Sequence, residues 1–258
     1  MEETGKNPIQ VAERLVQVIE RLAENGPMGI MDLSAELGFH KSTTHRLVTS
    51  LQYMGYIRQD EESLKYALSL KFLEIGSKIL EQTNMASLIH PSLKKLSEQT
   101  GETVHLVRRE GTEAVYIDKV ESTVSSIRMV SRVGSRIPLY CSGVGKALLA
   151  ELPDPEIEDI WNSSEITSLT PYTVTSLSDL MDRIRGVREA GYAMDDEENE
   201  EGVRCIAVSI PDYHKEPVYA LSISAPVSRM TDARIAELST DVLTFKKDLE
   251  KTLGFSRS

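Results

Sequence analysis

The sequence predicts an α+β protein with a small helical N-terminal domain and a larger mixed C-terminal domain. Two observations support this fold class. Apolar residues recur every three or four positions through residues 11–54, and β-branched runs alternate with helical stretches after residue 100. A chain of 258 residues is long enough for two domains. We expect domains at 8–69 and 86–255, joined by a linker helix at 70–85.

Three helices are predicted in the first domain. The first has its apolar face from Val11 to Leu22 and ends at the Gly26-Pro27 pair. The second covers residues 31–37 and ends at Gly38, because glycine adopts the left-handed conformation without steric cost. The third is expected to start near Ser42, a favourable N-cap residue.

A short hairpin is predicted after the third helix. Residues 56–59 and 64–68 are typical of two strands joined by a polar turn. Three helices followed by such a hairpin form a winged helix-turn-helix, in which the third helix enters the major groove of DNA. The apolar pattern from Leu70 to Leu80 then predicts the linker helix.

The second domain is predicted to alternate strands with helices. The expected strands cover 103–107, 114–120, 126–130, 203–210 and 218–224. The expected helices cover 87–99, 143–152, 154–161, 176–189 and 231–253.

Charge is unevenly distributed along the chain. The net charge of −11 argues against a general nucleic-acid coat and against attraction to anionic lipid. Residues 37–59 nevertheless contain Lys41, Arg46 and Arg58 and no acidic residue. This cationic segment includes the predicted third helix.

The third helix opens with cationic and hydroxyl side chains, which are the types that reach phosphates and base edges. An ordinary solvent-exposed helix start is the alternative. We expect Lys41 and, on the hairpin, Lys65 to contact phosphate, and Arg46 and Thr44 to contact bases. The predicted DNA-binding set is Lys41, Ser42, Thr43, Thr44, His45, Arg46 and Lys65.

The sequence predicts a cytoplasmic protein that does not contact a membrane. The first twenty residues lack a basic segment followed by an apolar core, and no apolar run approaches the ~20 residues that span a bilayer. Cys141 and Cys205 are too few for a disulfide scaffold, which fits a reducing compartment. We expect both thiols to be buried.

Two motifs suggest ligand chemistry. Residues 142–147 partly match a phosphate-binding loop, but Tyr140 replaces its first glycine and Ala147 its magnesium-binding hydroxyl residue. What remains is a helix N-terminus that suits one carboxylate, or simply a tight helix start. The acidic run 195–201 has Glu200 where a calcium loop requires glycine, so a solvated loop is expected. We predict no cofactor and no metal.

No catalytic constellation is evident. His90, His105 and His214 lie in unrelated contexts, and their spacing does not assemble a triad with serine or cysteine. A hydrolase using Cys141, Cys205, Asp195 and Ser222 is the alternative from another class, and a protein-binding winged helix is a further one. We predict that the protein is not an enzyme.

Several stretches resemble the IclR family of bacterial transcriptional regulators in order and spacing, over residues 11–254. They include KSTTHRLVTSLQYMGYI, VYIDKVES, RMVSRVGSRIPLYCSGVGKALLA, GYAMDDEENEEGVRCIA and ALSISAP. The resemblance implies a winged helix that binds double-stranded operator DNA, a linker helix, and a GAF-like domain that binds a small carboxylate effector. It also implies homodimers that associate into tetramers.

The resemblance also implies which residues bind the effector. The backbone amides of Gly143 and Val144 would hold its carboxylate. The side chains would be Asp195, Cys205, Ser222 and Ser224, with apolar walls from Met129, Ile137 and Val203. Such a pocket suits a small hydroxylated keto acid.

Within the family, the stretches are most similar to the KdgR-type repressors of pectin and hexuronate catabolism, whose effector is 2-keto-3-deoxygluconate. Glyoxylate and aromatic acids remain alternatives. We predict a repressor that its effector releases from DNA; an activator would require the opposite preference of the ligand.

Overall fold

The computed structural model describes residues 9–82, 85–122, 131–212, 214 and 216–253. The chain divides into two compact units, Met1–Thr83 and Asn84–Ser258. Among the described residues, no helix combines the length and apolar character needed to cross a membrane.

The first unit is a winged helix-turn-helix followed by one more helix, as predicted. Its elements are α1 (Gln10–Asn25), α2 (Ile30–Leu37), α3 (Lys41–Tyr53), β1 (Ile57–Gln59), β2 (Tyr66–Leu68) and α4 (Lys71–Gln82). One small core holds them together. It comprises Val18, Leu22, Leu33, Leu47, Val48, Leu51, Ile57 and Tyr66. Helix α3 is therefore fixed by its own buried face against both the other helices and the hairpin.

The start of α3 corrects one detail of the sequence analysis. The N-cap residue is His40, whose backbone is extended and whose carbonyl accepts from the amides of Thr43 and Thr44. Ser42 was expected to cap the helix, but it is the second residue of the helix, which begins at Lys41. Its hydroxyl is consequently left on the exposed surface of α3.

The second unit contains a six-stranded antiparallel sheet in the order β5-β4-β3-β8-β7-β6. The strands are β3 (Thr103–Glu110), β4 (Glu113–Val120), β5 (Arg136–Pro138), β6 (Ala193–Asp196), β7 (Val203–Ile210) and β8 (Tyr219–Pro226). The helices are α5 (Met85–Thr100), α6 (Gly143–Ala150), α7 (Asp154–Asn162), α8 (Leu177–Ala190) and α9 (Asp232–Thr252). The predicted α+β class is confirmed.

Helices cover both faces of this sheet. On β7, Ile206 and Val208 belong to the core with α5 and α9, whereas Ala207 belongs to the core with α6 and α8. Alternate residues of a strand point to opposite faces. Cys205 therefore lies on the α6 side, and this alternation decides which side chains meet the N-terminus of α6.

Two short strands, β5 and β6, were not predicted. The strand expected at 126–130 lies outside the described residues. The other four strands were found from their β-branched content and agree with the structure within a few residues at their ends.

Candidate functional site

The exposed face of α3 is the candidate DNA-binding surface. Lys41, Ser42, His45 and Arg46 are exposed, and Thr43 is half-buried. Ser42, His45 and Arg46 lie on one face of the helix, because residues three and four apart are neighbours.

This face continues beyond the predicted set. Thr49 is exposed, and the side chain of Tyr53 is 93 % exposed at the end of the helix. Both follow His45 and Arg46 at helical spacing, so the periodicity that defined the buried face would also have indicated them. The candidate surface therefore runs along the whole of α3.

Thr44 does not belong to this surface, which corrects the expectation that it contacts a base. Its side chain is fully buried, and its hydroxyl donates to the carbonyl of His40 at 3.3 Å. Thr44 precedes Leu47 and Val48 by three and four residues, and both are core residues. Its position in the helix therefore directs it into the core.

The hairpin after α3 carries two exposed cations. Arg58 on β1 and Lys65 just before β2 are both exposed. The turn between the strands is held by Asp60, whose Oδ1 accepts from the amide and the hydroxyl of Ser63 at 2.8 and 2.6 Å. Lys65 therefore follows a turn that is held by hydrogen bonds. Arg58 was recognised as part of the cationic segment but not as a binding residue.

The second unit has a small cavity of about 40 Å³ beside the N-terminus of α6. Its lining includes every predicted effector residue except Met129, which lies outside the described residues. The lining residues are His105, Tyr116, Ser131, Ile137, Ser142, Gly143, Val144, Asp195, Asn199, Glu200, Val203, Cys205, Ser222 and Ser224. Residues from distant parts of the sequence therefore surround one cavity.

Ser142 caps the helix at this cavity. Its hydroxyl accepts from the amide of Gly145 at 3.1 Å and donates to the carbonyl of Pro138 at 2.6 Å. The amides of Gly143 and Val144 have no intrahelical acceptor, because they belong to the first turn of α6. The positive end of the helix is therefore directed at the cavity. This arrangement suits one carboxylate.

The glycines of the phosphate-loop-like motif have packing roles. A Cβ atom on Gly145 would lie 2.1 Å from the backbone carbonyl oxygen of Leu139. A Cβ atom on Gly143 would lie 3.0 Å from the Cys205 sulfur. The close approach of the helix to its neighbours explains the Gly-x-Gly pattern without a phosphate.

Asp195 contributes a buried carboxylate to the cavity. Its Oδ1 accepts from the backbone amides of Glu198 and Asn199 at 2.8 and 3.3 Å. Burial raises the pKa of Asp195 to about 6, although nearby Lys146 and these two hydrogen bonds act in the opposite direction. The group therefore changes charge close to neutral pH.

Glu198, three residues after Asp195, belongs to a buried ion pair. Lys146 on α6 donates to Oε1 of Glu198 at 2.5 Å, and both side chains are 2 % exposed. The second oxygen, Oε2, has no hydrogen-bond partner among the described residues. The acidic run was expected to be a solvated loop, but Asp195 and Glu198 are buried. Their partner Lys146 is distant in sequence, so local composition did not indicate it.

His105 is a cavity residue that sequence reasoning missed. Its Nε2 lies 2.7 Å from Ser131 Oγ, and its Nδ1 lies 3.5 and 3.4 Å from the hydroxyls of Ser222 and Ser224. Burial, with a smaller contribution from Lys119, lowers the pKa of His105 to about 3. The imidazole is therefore neutral at physiological pH. Only the pairing of β3 with β8, which sets His105 opposite Ser222, brings these residues together.

The two cysteines are buried thiols, as predicted. Burial raises the pKa of Cys141 to about 12 and also raises the pKa of Cys205. Neither is a thiolate at neutral pH, so neither has the character of an activated nucleophile. Within the described residues, no group of three or more His, Cys, Asp and Glu is placed to hold a metal ion.

The charge of the lining restricts the ligand. Among the described lining residues, Asp195 and Glu200 are the acidic ones, and none is a lysine or an arginine. A single carboxylate is accommodated at the helix N-terminus, but a second anionic group would meet Asp195 or Glu200. Hydroxyls on a ligand would find Ser222, Ser224 and neutral His105 as partners.

Two family models match the chain. Residues 11–61 match the IclR helix-turn-helix domain, and residues 77–250 match the bacterial transcriptional regulator IclR C-terminal family. Together they cover both units described above.

Characterised relatives span nearly the whole chain. The acetate operon repressor of Salmonella typhimurium is 36% identical over 252 residues, which cover 96% of this chain and 92% of the relative. KdgR of Escherichia coli is 34% identical over 252 residues, covering 97% and 95%. These close values do not single out one subgroup.

A solved structure shows the same architecture. The Agrobacterium tumefaciens repressor BlcR is 25% identical, with a TM-score of 0.78 over 98% of this chain and all of that one. The models and relatives describe regulators rather than enzymes, which confirms the prediction of a DNA-binding regulator. The chain belongs to the IclR family of bacterial transcriptional regulators.

Proposed function

We propose that the protein is a repressor of a catabolic operon that a small monocarboxylate effector releases from its operator. The observation that carries the effector part is the cavity beside α6. Its lining combines a helix N-terminus, the β8 serines Ser222 and Ser224, a neutral histidine and two acidic residues. The repressor part is supported by the acetate operon repressor and by BlcR, both of which are named repressors.

In this proposal α3 enters the major groove of operator DNA. Ser42, His45 and Arg46 face the bases, and Lys41, Thr43 and Lys65 contact the backbone. The exposure of the basic side chains on one helix and on the adjoining turn supports this division. Phosphate contacts make binding sensitive to salt.

The proposed effector is a hydroxylated keto acid such as 2-keto-3-deoxygluconate. Its carboxylate binds the amides of Gly143 and Val144, and its hydroxyls bind Ser222, Ser224 and Asp195. Cys205, Ile137 and Val203 pack against its carbon chain. The cavity of about 40 Å³ is smaller than the ~150 Å³ cavity that admits a benzene molecule, so it must widen to admit such an acid.

We propose that the protein works as a homodimer in the cytoplasm, with dimers pairing into a tetramer. Val11 and Val16 on α1 and Leu73 on α4 are large apolar residues that are about half exposed or more. Such residues on a DNA-binding unit are suited to pairing with a second copy. We retain 8–69, 70–85 and 86–255 as the proposed domain boundaries.

A fluorescence-anisotropy titration against the DNA upstream of its own gene tests this function. At fixed salt, 2-keto-3-deoxygluconate should weaken binding, and Ser222→Ala should reduce that response while sparing DNA affinity. Tight binding that neither 2-keto-3-deoxygluconate nor glyoxylate changes would discard these ligands. Tighter binding on adding either acid would indicate an activator.

Arg46→Ala tests the DNA surface in the same assay. Loss of a base contact should weaken operator binding by about 1–3 kcal/mol. Thr44→Ser is the matched control on the same helix, because Thr44 faces the core. Unchanged affinity in Arg46→Ala would remove α3 from the proposed interface.

A further inference from the structure

We propose that Lys71, the first residue of α4, is a positioning residue that sets the orientation of α3 for operator recognition. This inference rests on the proposed role of α3 in reading DNA. Lys71 lies on a helix that is itself outside the proposed DNA surface, and its contacts are with the end of α3.

The C-terminal end of α3 needs hydrogen-bond partners for its backbone carbonyls. The last four carbonyls of a helix have no intrahelical donors. Amides of the following turn serve Ser50, Leu51 and Gln52, through Met54, Tyr56 and Gly55 respectively. Met54 and Gly55 follow the helix, and their carbonyls are left for donors from elsewhere.

Those donors come from Lys71, the first residue of α4, and from Ser69, two residues before it. Lys71 Nζ donates to the carbonyl of Met54 at 2.7 Å, and the hydroxyl of Ser69 donates to the carbonyl of Gly55 at 2.5 Å. The amide of Ser69 donates to the carbonyl of Tyr56 at 2.9 Å. Three consecutive carbonyls after α3 are thus bound by Lys71 and by Ser69, which lies two residues before α4.

Side-chain packing reinforces these bonds. The Lys71 ammonium lies 4.3 Å from the centroid of the Tyr56 ring, a cation–π arrangement. The Tyr56 ring also contacts that of Phe72, with centroids 5.2 Å apart. We call this set, formed by 54–56 and by Ser69, Lys71 and Phe72, the helix joint.

The joint lets a rotation of α4 move α3. The Lys71 charge complements the negative end of the α3 dipole. Removal of that charge therefore weakens the contact with the Met54 carbonyl. The core of the first unit includes neither Lys71 nor Met54. Loss of the Lys71 ammonium should therefore change the orientation of α3 more than the stability of the first unit.

Lys71→Met tests the proposal in the full-length protein, because methionine keeps the side-chain length and removes the ammonium. We expect operator affinity to fall about tenfold, the ratio of operator to non-specific affinity to fall with it, and the melting temperature to stay unchanged. Lys71→Arg should restore most of the affinity, because a guanidinium also donates to a carbonyl and packs on an aromatic ring.

Lys78→Met is the matched control. Lys78 is exposed on the same helix and pairs with Glu74. Equal losses in Lys71→Met and Lys78→Met would overturn the proposal. So would a loss that is the same on non-specific DNA and accompanied by a salt slope about 0.9 smaller, because Lys71 would then be a phosphate contact.

Ser69→Ala keeps the result interpretable if Lys71→Met lowers the melting temperature. It keeps the lysine and removes the bond to the Gly55 carbonyl, together with the bond that the Lys71 amide donates to the Ser69 hydroxyl at 3.2 Å. A smaller fall in the operator to non-specific ratio is expected, because the Lys71 ammonium still binds the Met54 carbonyl. No change in that ratio would overturn the proposal. Failure of α3 as the reading helix is distinguished by Arg46→Ala, which would then leave operator affinity unchanged.

Discussion

Asp195 shows how burial of one carboxyl creates a pH dependence. Its pKa in the folded protein is about 6, above the ordinary value of 3.8, chiefly because of desolvation. The folded state therefore holds its proton more tightly than the unfolded state does. Stability contributed by this group is present at low pH and is lost as the pH rises from about 4 to 6.

Asp195→Asn should remove that loss, because an amide oxygen can still accept from the amides of Glu198 and Asn199. We expect the variant to gain stability relative to the wild type with rising pH, reaching about 3 kcal/mol above pH 7. Urea unfolding at pH 4.5, 6 and 7.5 measures the difference. Asp159→Asn, at an exposed site, is the control. A difference that is constant with pH would contradict the argument.

The Lys146–Glu198 pair predicts a strongly non-additive mutant cycle. Glu198→Leu leaves a buried ammonium without its partner, which should cost about 3–5 kcal/mol. The double variant Lys146→Met with Glu198→Leu should cost less than Glu198→Leu alone. Denaturant midpoints of Lys146→Met, Glu198→Leu and the double variant measure the coupling. Glu74→Leu in the exposed Lys78–Glu74 pair should change the midpoint little, because solvent screens an exposed ion pair. Additive losses would show that the pair is not coupled.

At the scale of elements, the hairpin after α3 should contribute affinity without sequence preference. Lys65→Ala should weaken operator and non-specific binding by the same factor and reduce the salt slope by about 0.9, because one phosphate contact is lost. Anisotropy titrations at several salt concentrations measure the slope. Lys94→Ala removes an exposed charge from α5 and should leave the slope unchanged. A loss of affinity that is confined to operator DNA would instead indicate that Lys65 contacts a base.

Elements with a clear period or composition could be predicted from the sequence. The helices of the first unit follow from apolar spacing, and β3, β4, β7 and β8 from β-branched runs. Two short strands could not be found this way. β5 has three residues, one of them proline, and β6 pairs two apolar residues with two acidic ones. Both exist because longer neighbouring strands supply their hydrogen bonds.

Site residues divide in the same way, into those that local sequence indicates and those that only the pairing of distant strands brings together. Gly143, Ser222 and Ser224 were named because family-like motifs contain them, and the structure places all three at one cavity. His105 was missed, because its relation to Ser222 depends on the pairing of β3 with β8. The error at Thr44 was avoidable, since the spacing that buries Leu47 and Val48 also buries Thr44. Local periodicity predicts burial, whereas only tertiary pairing identifies partners.

For the whole molecule, the division into two units predicts two separable responses to ligands. The first unit has its own core, and the second has one core on each face of its sheet. A ligand stabilises the unit that binds it by RT ln(1 + [L]/Kd), about 2.7 kcal/mol at a concentration of 100 Kd. Operator DNA should therefore stabilise the first unit, and a carboxylate effector the second.

Differential scanning calorimetry of the full-length protein measures this prediction. We expect two transitions, of which operator DNA raises one and 2-keto-3-deoxygluconate the other. Ser222→Ala is the control, because it should reduce the second shift and leave the first. A single transition that both ligands raise equally would show that the units unfold together. Whether the units unfold separately matters for function, because a repressor built from independently folding units can change its affinity for DNA while its effector-binding core stays folded.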